Sequence, residues 1–325
     1  MTAPDEAKER TISEWCRDFH TLFGHADTGR RTEEFWLATM AYCSSMGEAI
    51  RRMNHPDLLF SAAHTFCWIC SFVTHISQLR PLESELLFHW PPGLSDTVFL
   101  KYPGLCGHCL SRPCKCASQE VDRKKNKGAH YRELLKYWKT YRKSDYTIHD
   151  WLSIFSDLYA DRIHMMTLAT IGFHFLEEAG EEAMGIRKLL QLRGVVNEED
   201  CALAEEFLMR ISTIEGLVNE YSEADIPRHK DTGKPRIDLT SRALPFVKAR
   251  LLDAKMDLVI ELADTFSWFC AILIKQKQLL EDSDLWTEAC EFEQYLQKEY
   301  GAKGQPLKCY MCNGETCACL SFHGP

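Results

Sequence analysis

Two kinds of residue in this chain are placed to do chemistry, thiols and carboxylates. Of 15 cysteines, eight fall into two clusters: Cys106, Cys109, Cys114 and Cys116 in CGHCLSRPCKC, and Cys309, Cys312, Cys317 and Cys319 in CYMCNGETCACL. Both read C-x2-C-x4-C-x-C. Four thiolates from one short loop can enclose a tetrahedral Zn2+ at ~2.3 Å with no position left for water, so the spacing predicts two structural zinc sites. His108 is an alternative ligand in the first loop, and an iron–sulfur cluster is a rival occupant that spacing leaves open. The remaining cysteines, including the Cys67-x2-Cys70 pair, lie mostly in apolar segments of helical period and read as small buried hydrophobes.

The carboxylates fall on two segments. In Phe175-Leu176-Glu177-Glu178-Ala179-Gly180-Glu181, helical spacing puts Glu177 and Glu181 one turn apart, with Glu178 about 100° round from Glu177. Taken alone, this is also what a solvated acidic face looks like. The second segment, Asp257 to Asp264, carries Glu261 and Asp264 on one face among Leu258, Val259, Ile260, Leu262, Phe266 and Trp268. Acids buried in such a helix must be paired, protonated or bound to metal. Hard oxygen ligands from facing helices suit Mg2+ or Mn2+, which hold phosphate oxygens and activate water.

The elements that must position these groups are helical and duplicated. Apolar residues recur at three and four in segments near 11–23, 33–53, 58–79, 130–143, 147–192, 198–223, 242–280 and 284–300, so an all-α bundle carrying two cysteine loops is expected. Thr11-Ile12-Ser13-Glu14-Trp15 with Phe19 and Leu22 answers Thr147-Ile148-His149-Asp150-Trp151 with Phe155 and Leu158, at an offset of 136. Gly47-Glu48 answers Gly180-Glu181. Ala63-His64-Thr65-Phe66 with Trp68 and Cys70 answers Ala263-Asp264-Thr265-Phe266 with Trp268 and Cys270 at an offset of 200, and the cysteine clusters follow at 203. We read residues 1–120 as a first copy, 121–146 as a basic linker or helix, and 147–325 as a second copy with an insertion at about 187–255.

Leu-x-Glu-Glu-x-Gly-Glu on one helix followed by Glu-Leu-x-Asp on another resembles the MazG-type all-α nucleotide pyrophosphohydrolase superfamily. The resemblance covers the core of the second copy, roughly residues 150–280, and the cysteine loops lie outside it. It implies a helical bundle in which Glu177, Glu178, Glu181, Glu261 and Asp264 hold Mg2+ or Mn2+ while water attacks between the α and β phosphates of a nucleoside triphosphate. It also implies a pseudo-dimer within one chain and admits a further homodimer, because members of the family assemble helices from two subunits. Two departures stand out. The two acidic motifs are separated by about eighty residues, and in the first copy Ser44, Ser45, Ser61 and His64 replace Glu177, Glu178, Glu261 and Asp264, leaving Glu48 as its one retained acid.

Substrate contacts are expected from Trp268, one turn beyond Asp264, from Lys275, and from Arg228, Lys230 and Lys234 in the basic tail of the insertion. The formal net charge of -9 argues against nucleic acid as the main partner. No uninterrupted apolar run approaches ~18 residues and no secretory signal is legible, so a cytoplasmic protein without a membrane association is expected. The competing functions are a non-catalytic, zinc-containing nucleotide sensor, and a nucleic-acid adaptor built on the zinc loops and the basic run Arg123-Lys124-Lys125-Asn126-Lys127.

Overall fold

The computed structural model describes residues 9–78, 93–107, 109–116, 136, 145–196, 244–287, 290–317 and 319, without the side chains of 78, 188–196 and 244–256. Among them there are eight named helices and no strand: α1 Ile12–Asp27, α2 Thr32–Arg52, α3 His55–Gln78, α4 Leu94–Lys101, α5 Ile148–Met165, α6 Leu168–Val196, α7 Leu244–Asp282 and α8 Phe292–Tyr300. The described part of the protein is all-α. The helices expected near 130–143 and 198–223 lie outside the described residues, as does the basic tail with Arg228, Lys230 and Lys234.

The described residues form two compact units. The larger holds α1 to α5, α6 up to Glu182, α7 from Val259, α8 and both cysteine loops; the smaller holds residues 183–196 and 244–258. Both sequence copies therefore contribute to one unit, in which every site described below lies.

Local chemistry sets the helix starts. Thr11 caps α1 by accepting the Glu14 N–H at 3.2 Å, while the Glu14 carboxylate accepts the Thr11 N–H at 2.8 Å. Thr147 and Asp150 do the same for α5. Each reciprocal pair satisfies two backbone donors that the first turn leaves open. The two caps meet: Thr11 and Thr147 form an isolated antiparallel bridge, and the Ile12 N–H donates to the Tyr146 carbonyl at 2.8 Å.

Two elements differ from the sequence expectation. The segment expected as one helix over 147–192 is broken at Met166–Thr167, because Met166 is extended and the Thr167 hydroxyl accepts the Thr170 N–H, capping a new helix. Instead of a helix from 284, a turn at Ser283–Asp284, with Asp284 in the left-handed region, precedes the shorter α8. The short α4 was not anticipated. Most of its residues are buried, which erases the 3.6-residue alternation that reveals longer helices.

Residues matched by the repeat make matched contacts. Trp15 meets Phe66 edge to face at 6.4 Å, and Trp151 meets Phe266 edge to face at 6.4 Å. Arg30 lies over Trp68 at 5.6 Å, and Arg162 lies over Trp268 at 5.3 Å. The small elements cross over. Tyr102, at the end of α4, packs its edge on Phe155 of α5 at 5.3 Å, whereas Tyr300, at the end of α8, packs on Phe19 of α1 at 5.0 Å. Each copy thus closes over the other. Phe66 stacks on Phe269 at 6.2 Å in the shared core, where each buried aromatic contributes roughly 1.5–3 kcal/mol.

One stretch of α3, His55–Ser77, is long and apolar enough to cross a membrane by length and composition, with a mean hydropathy of 1.3 in its most apolar window. That window is 83% buried within the protein, which accounts for its composition as a core helix. Replacing Phe266, fully buried between Trp151 and Phe269, with alanine is expected to cost about 3–5 kcal/mol in urea unfolding. The half-exposed Leu37 changed to alanine should stay within about 0.5 kcal/mol.

Candidate functional site

Helix α6 brings Glu178 and Glu181 to the same side of the bundle, and α7 brings Glu261 to meet them. One carboxylate oxygen from each lies within 4.8 Å of the others, so the three could hold a metal ion. Glu178 is half-buried, and burial, reinforced by Asp264, Glu261 and Glu181 and opposed by Lys101, pushes its carboxyl up to about 7. A cation among these groups would relieve that crowding. Three hard oxygen donors brought this close match the preference of Mg2+ or Mn2+ for carboxylate and water ligands.

The other two sequence-derived acids have different partners. Glu177 is half-exposed and binds His174 Nδ1 at 3.1 Å on its own helix. Asp264 is buried, with one oxygen accepting the Tyr102 hydroxyl and the other the Lys101 ammonium. Burial holds the Tyr102 phenol well above its ordinary range, so it stays a donor. Glu182, one residue beyond Glu181, is fully buried. It accepts the Thr265 hydroxyl at 3.3 Å, and burial pushes its carboxyl up to about 8.

Lys101, Tyr102 and Glu182 were not singled out from the sequence. For Lys101 and Tyr102 the available signal was a cation closing an apolar run immediately before Pro103-Gly104 and the first cysteine loop. For Glu182 it was the i, i+4 relation to Glu178, which puts both on the inward face of α6.

The expected substrate contacts are placed as follows. Trp268 stacks on His174 at 4.7 Å, with the Arg162 guanidinium over its ring, so neighbouring side chains occupy its π surface. The Lys275 ammonium donates to the His164 carbonyl at 3.1 Å.

The positions of the first copy that match the acids form a different environment. Glu48 is exposed and paired with Arg51 and Arg52, which hold its carboxyl down at about 2. His64 is buried among Tyr42, Phe60 and Tyr310, and its Nδ1 lies 2.9 Å from the Tyr300 hydroxyl. A cavity beside it is lined by Phe23, Asp27, Cys67, Trp68, Ser71, Tyr300 and Tyr310. This cavity is lined from both copies and does not include the acid trio. Burial pushes Asp27 up to about 6 despite Arg30 beside it.

The two cysteine loops share one backbone. In the first, the Cys106 N–H donates to the Ser111 carbonyl and the Leu110 N–H to the Cys106 carbonyl; in the second, Cys309 bonds Gly314 and Asn313 bonds Cys309. Leu110 and Asn313 occupy the same left-handed conformation, with φ of 52° and 56°. All four sulfurs in each loop lie within 4.8 Å of one another. Cys106 and Cys116 are 3.6 Å apart, and Cys309 and Cys319 are 4.0 Å apart. Metal–sulfur bonds of ~2.3 Å in a tetrahedron require sulfurs about 3.8 Å apart, so each loop could hold one ion. The loops are also exchanged between copies. The Cys114 N–H donates to the Leu158 carbonyl of α5 at 2.9 Å, and the Cys317 N–H to the Leu22 carbonyl of α1 at 2.9 Å.

Comparison of the chain with protein-family models, curated proteins and solved structures finds no match.

Two outcomes are expected from this geometry. Native mass spectrometry should find two tightly held ions per chain at the cysteine loops, and one after Cys309→Ser with Cys312→Ser. Burial lifts the folded value of Asp27 above its ordinary range, so the folded state binds the extra proton and its stability contribution declines as pH rises through about 6. The melting temperature of Asp27→Asn relative to the unaltered protein should therefore increase between pH 5 and pH 7.5.

Proposed function

We propose that the second copy is a nucleoside triphosphate pyrophosphohydrolase of the MazG type, working with Mg2+ or Mn2+, and that the first copy completes the bundle as its pseudo-dimer partner. The observation that carries this reading is the convergence of Glu178, Glu181 and Glu261, two residues from one helix and one from another some eighty residues away, within 4.8 Å. Their first-copy counterparts include two serines. A solvated acidic face would need no partner from a second helix.

Glu178, Glu181 and Glu261 would hold the ion, with Asp264 beside them. When bound, the ion supplies charge neutralisation for phosphate oxygens and acidifies a water. One carboxylate of the trio orients the attacking water and accepts its proton. The water oxygen bonds to the α phosphorus, the bond from that phosphorus to the α–β bridging oxygen breaks, and pyrophosphate leaves with the bridging oxygen. Glu182, buried and hydrogen-bonded to Thr265, ties α6 to α7 beside the trio. The cysteine loops, with zinc as the proposed ion, hold α4 and α8 in place without taking part in the reaction.

Pyrophosphate release from a panel of nucleoside triphosphates, with and without Mg2+, tests the reading. Turnover should require the ion and fall by about 10²-fold or more in Glu178→Gln and in Glu261→Gln, whereas Glu177→Gln, whose carboxylate faces His174, should lose less than about tenfold. Tight nucleotide binding without turnover of any substrate would instead establish a sensor.

A further inference from the structure

The acid site of the second copy contains a cation supplied by the first. Lys101 ends α4, with its side chain only 5% exposed, and its ammonium bonds one oxygen of Asp264 while the Tyr102 hydroxyl bonds the other. Its charge also opposes the effect of the neighbouring carboxylates on Glu178.

The placement is rigid. Tyr102 packs on Phe155, and its ring lies 6.3 Å from that of Tyr159, whose hydroxyl donates to Cys106 Sγ at 3.8 Å. A side chain on Gly107 would come within 2.9 Å of the Lys101 carbonyl oxygen and Cγ, so the first cysteine loop is moulded against this lysine. The corresponding place in the other half is instructive. Tyr300 bonds His64 as Tyr102 bonds Asp264, and the residue before it, where Lys101 would stand, is Glu299. The lysine is found where the carboxylates are, and a glutamate stands where they have been replaced.

We propose that Lys101 is the resident cation of the acid site: it occupies the position beside Asp264 that a second divalent ion would otherwise take. The site then binds one divalent ion, through Glu178, Glu181 and Glu261, and Asp264 serves as the anchor of Lys101 and not as a metal ligand. This rests on the reading of the trio as a divalent-metal site.

Electron paramagnetic resonance titration of Mn2+ into the full-length protein, its cysteine loops left intact, tests the proposal. The unaltered chain should bind one Mn2+. Lys101→Met, which keeps the apolar stem and removes the charge, should bind a second ion or bind the first at least tenfold more tightly. Asp264→Asn should keep one Mn2+ with affinity changed less than threefold, whereas Glu261→Gln should lose it. Unchanged stoichiometry and affinity in Lys101→Met, two ions in the unaltered chain, or loss of Mn2+ in Asp264→Asn would overturn the proposal while leaving the metal-site reading intact. Binding in Lys101→Met alone would overturn the one-ion assignment for the unaltered chain. Absence of Mn2+ from every variant would overturn both. Should Lys101→Met fail to fold by circular dichroism, Asp264→Asn decides the matter.

Discussion

Ionised groups inside an apolar helical bundle must be compensated, and the second half of this protein is arranged around that requirement. Several carboxylates project inward from α6 and α7 in a region otherwise filled by leucine, valine and phenylalanine. Asp264 is compensated by Lys101 and Tyr102, and Glu182 by burial that favours its neutral form and by Thr265. Glu178 is pushed up to about 7, the mark of a group whose surroundings disfavour its charge. A cluster of this kind costs stability, and function is the common reason for retaining it.

The compensation is delivered across the internal repeat. Helix α4 and the first cysteine loop belong to the first copy but close over α5 and the acids of the second; α8 and the second loop close in turn over α1. Each loop donates a backbone N–H to a carbonyl of the opposite copy, at Leu158 or at Leu22. An ion in a cysteine loop would therefore fix a short helix end, and through Tyr102 or Tyr300 it would fix the side chain at position 264 or 64. The first copy, with serine or histidine at most of the matching positions, supplies Lys101 and Tyr102 to Asp264 of the second.

Much of this was legible in the sequence. The two C-x2-C-x4-C-x-C clusters and the repeat offsets are patterns of residue type and spacing, and such patterns survive folding. Helices with one apolar face were also visible, whereas α4, buried on nearly all sides, was not. The break at Thr167 was hidden because a single capping threonine interrupts an apolar pattern without altering its period. Within the candidate site, spacing identified the acidic helices but not which carboxylate meets which. Glu177 and Glu178 are neighbours in sequence, yet 100° of rotation sends one to His174 and the other to Glu181 and Glu261. Lys101 is more than seventy residues from any of these acids, and only the crossing of the copies brings it to them.

The most direct measurement is anomalous diffraction, collected at the manganese and zinc absorption edges, from crystals of the native protein soaked in Mn2+. One manganese peak bounded by Glu178, Glu181 and Glu261, with the Lys101 ammonium beside Asp264 and one zinc peak in each cysteine loop, is the expected result. Manganese at Glu48 and His64 of the first copy, or no manganese at the acid trio, would contradict it.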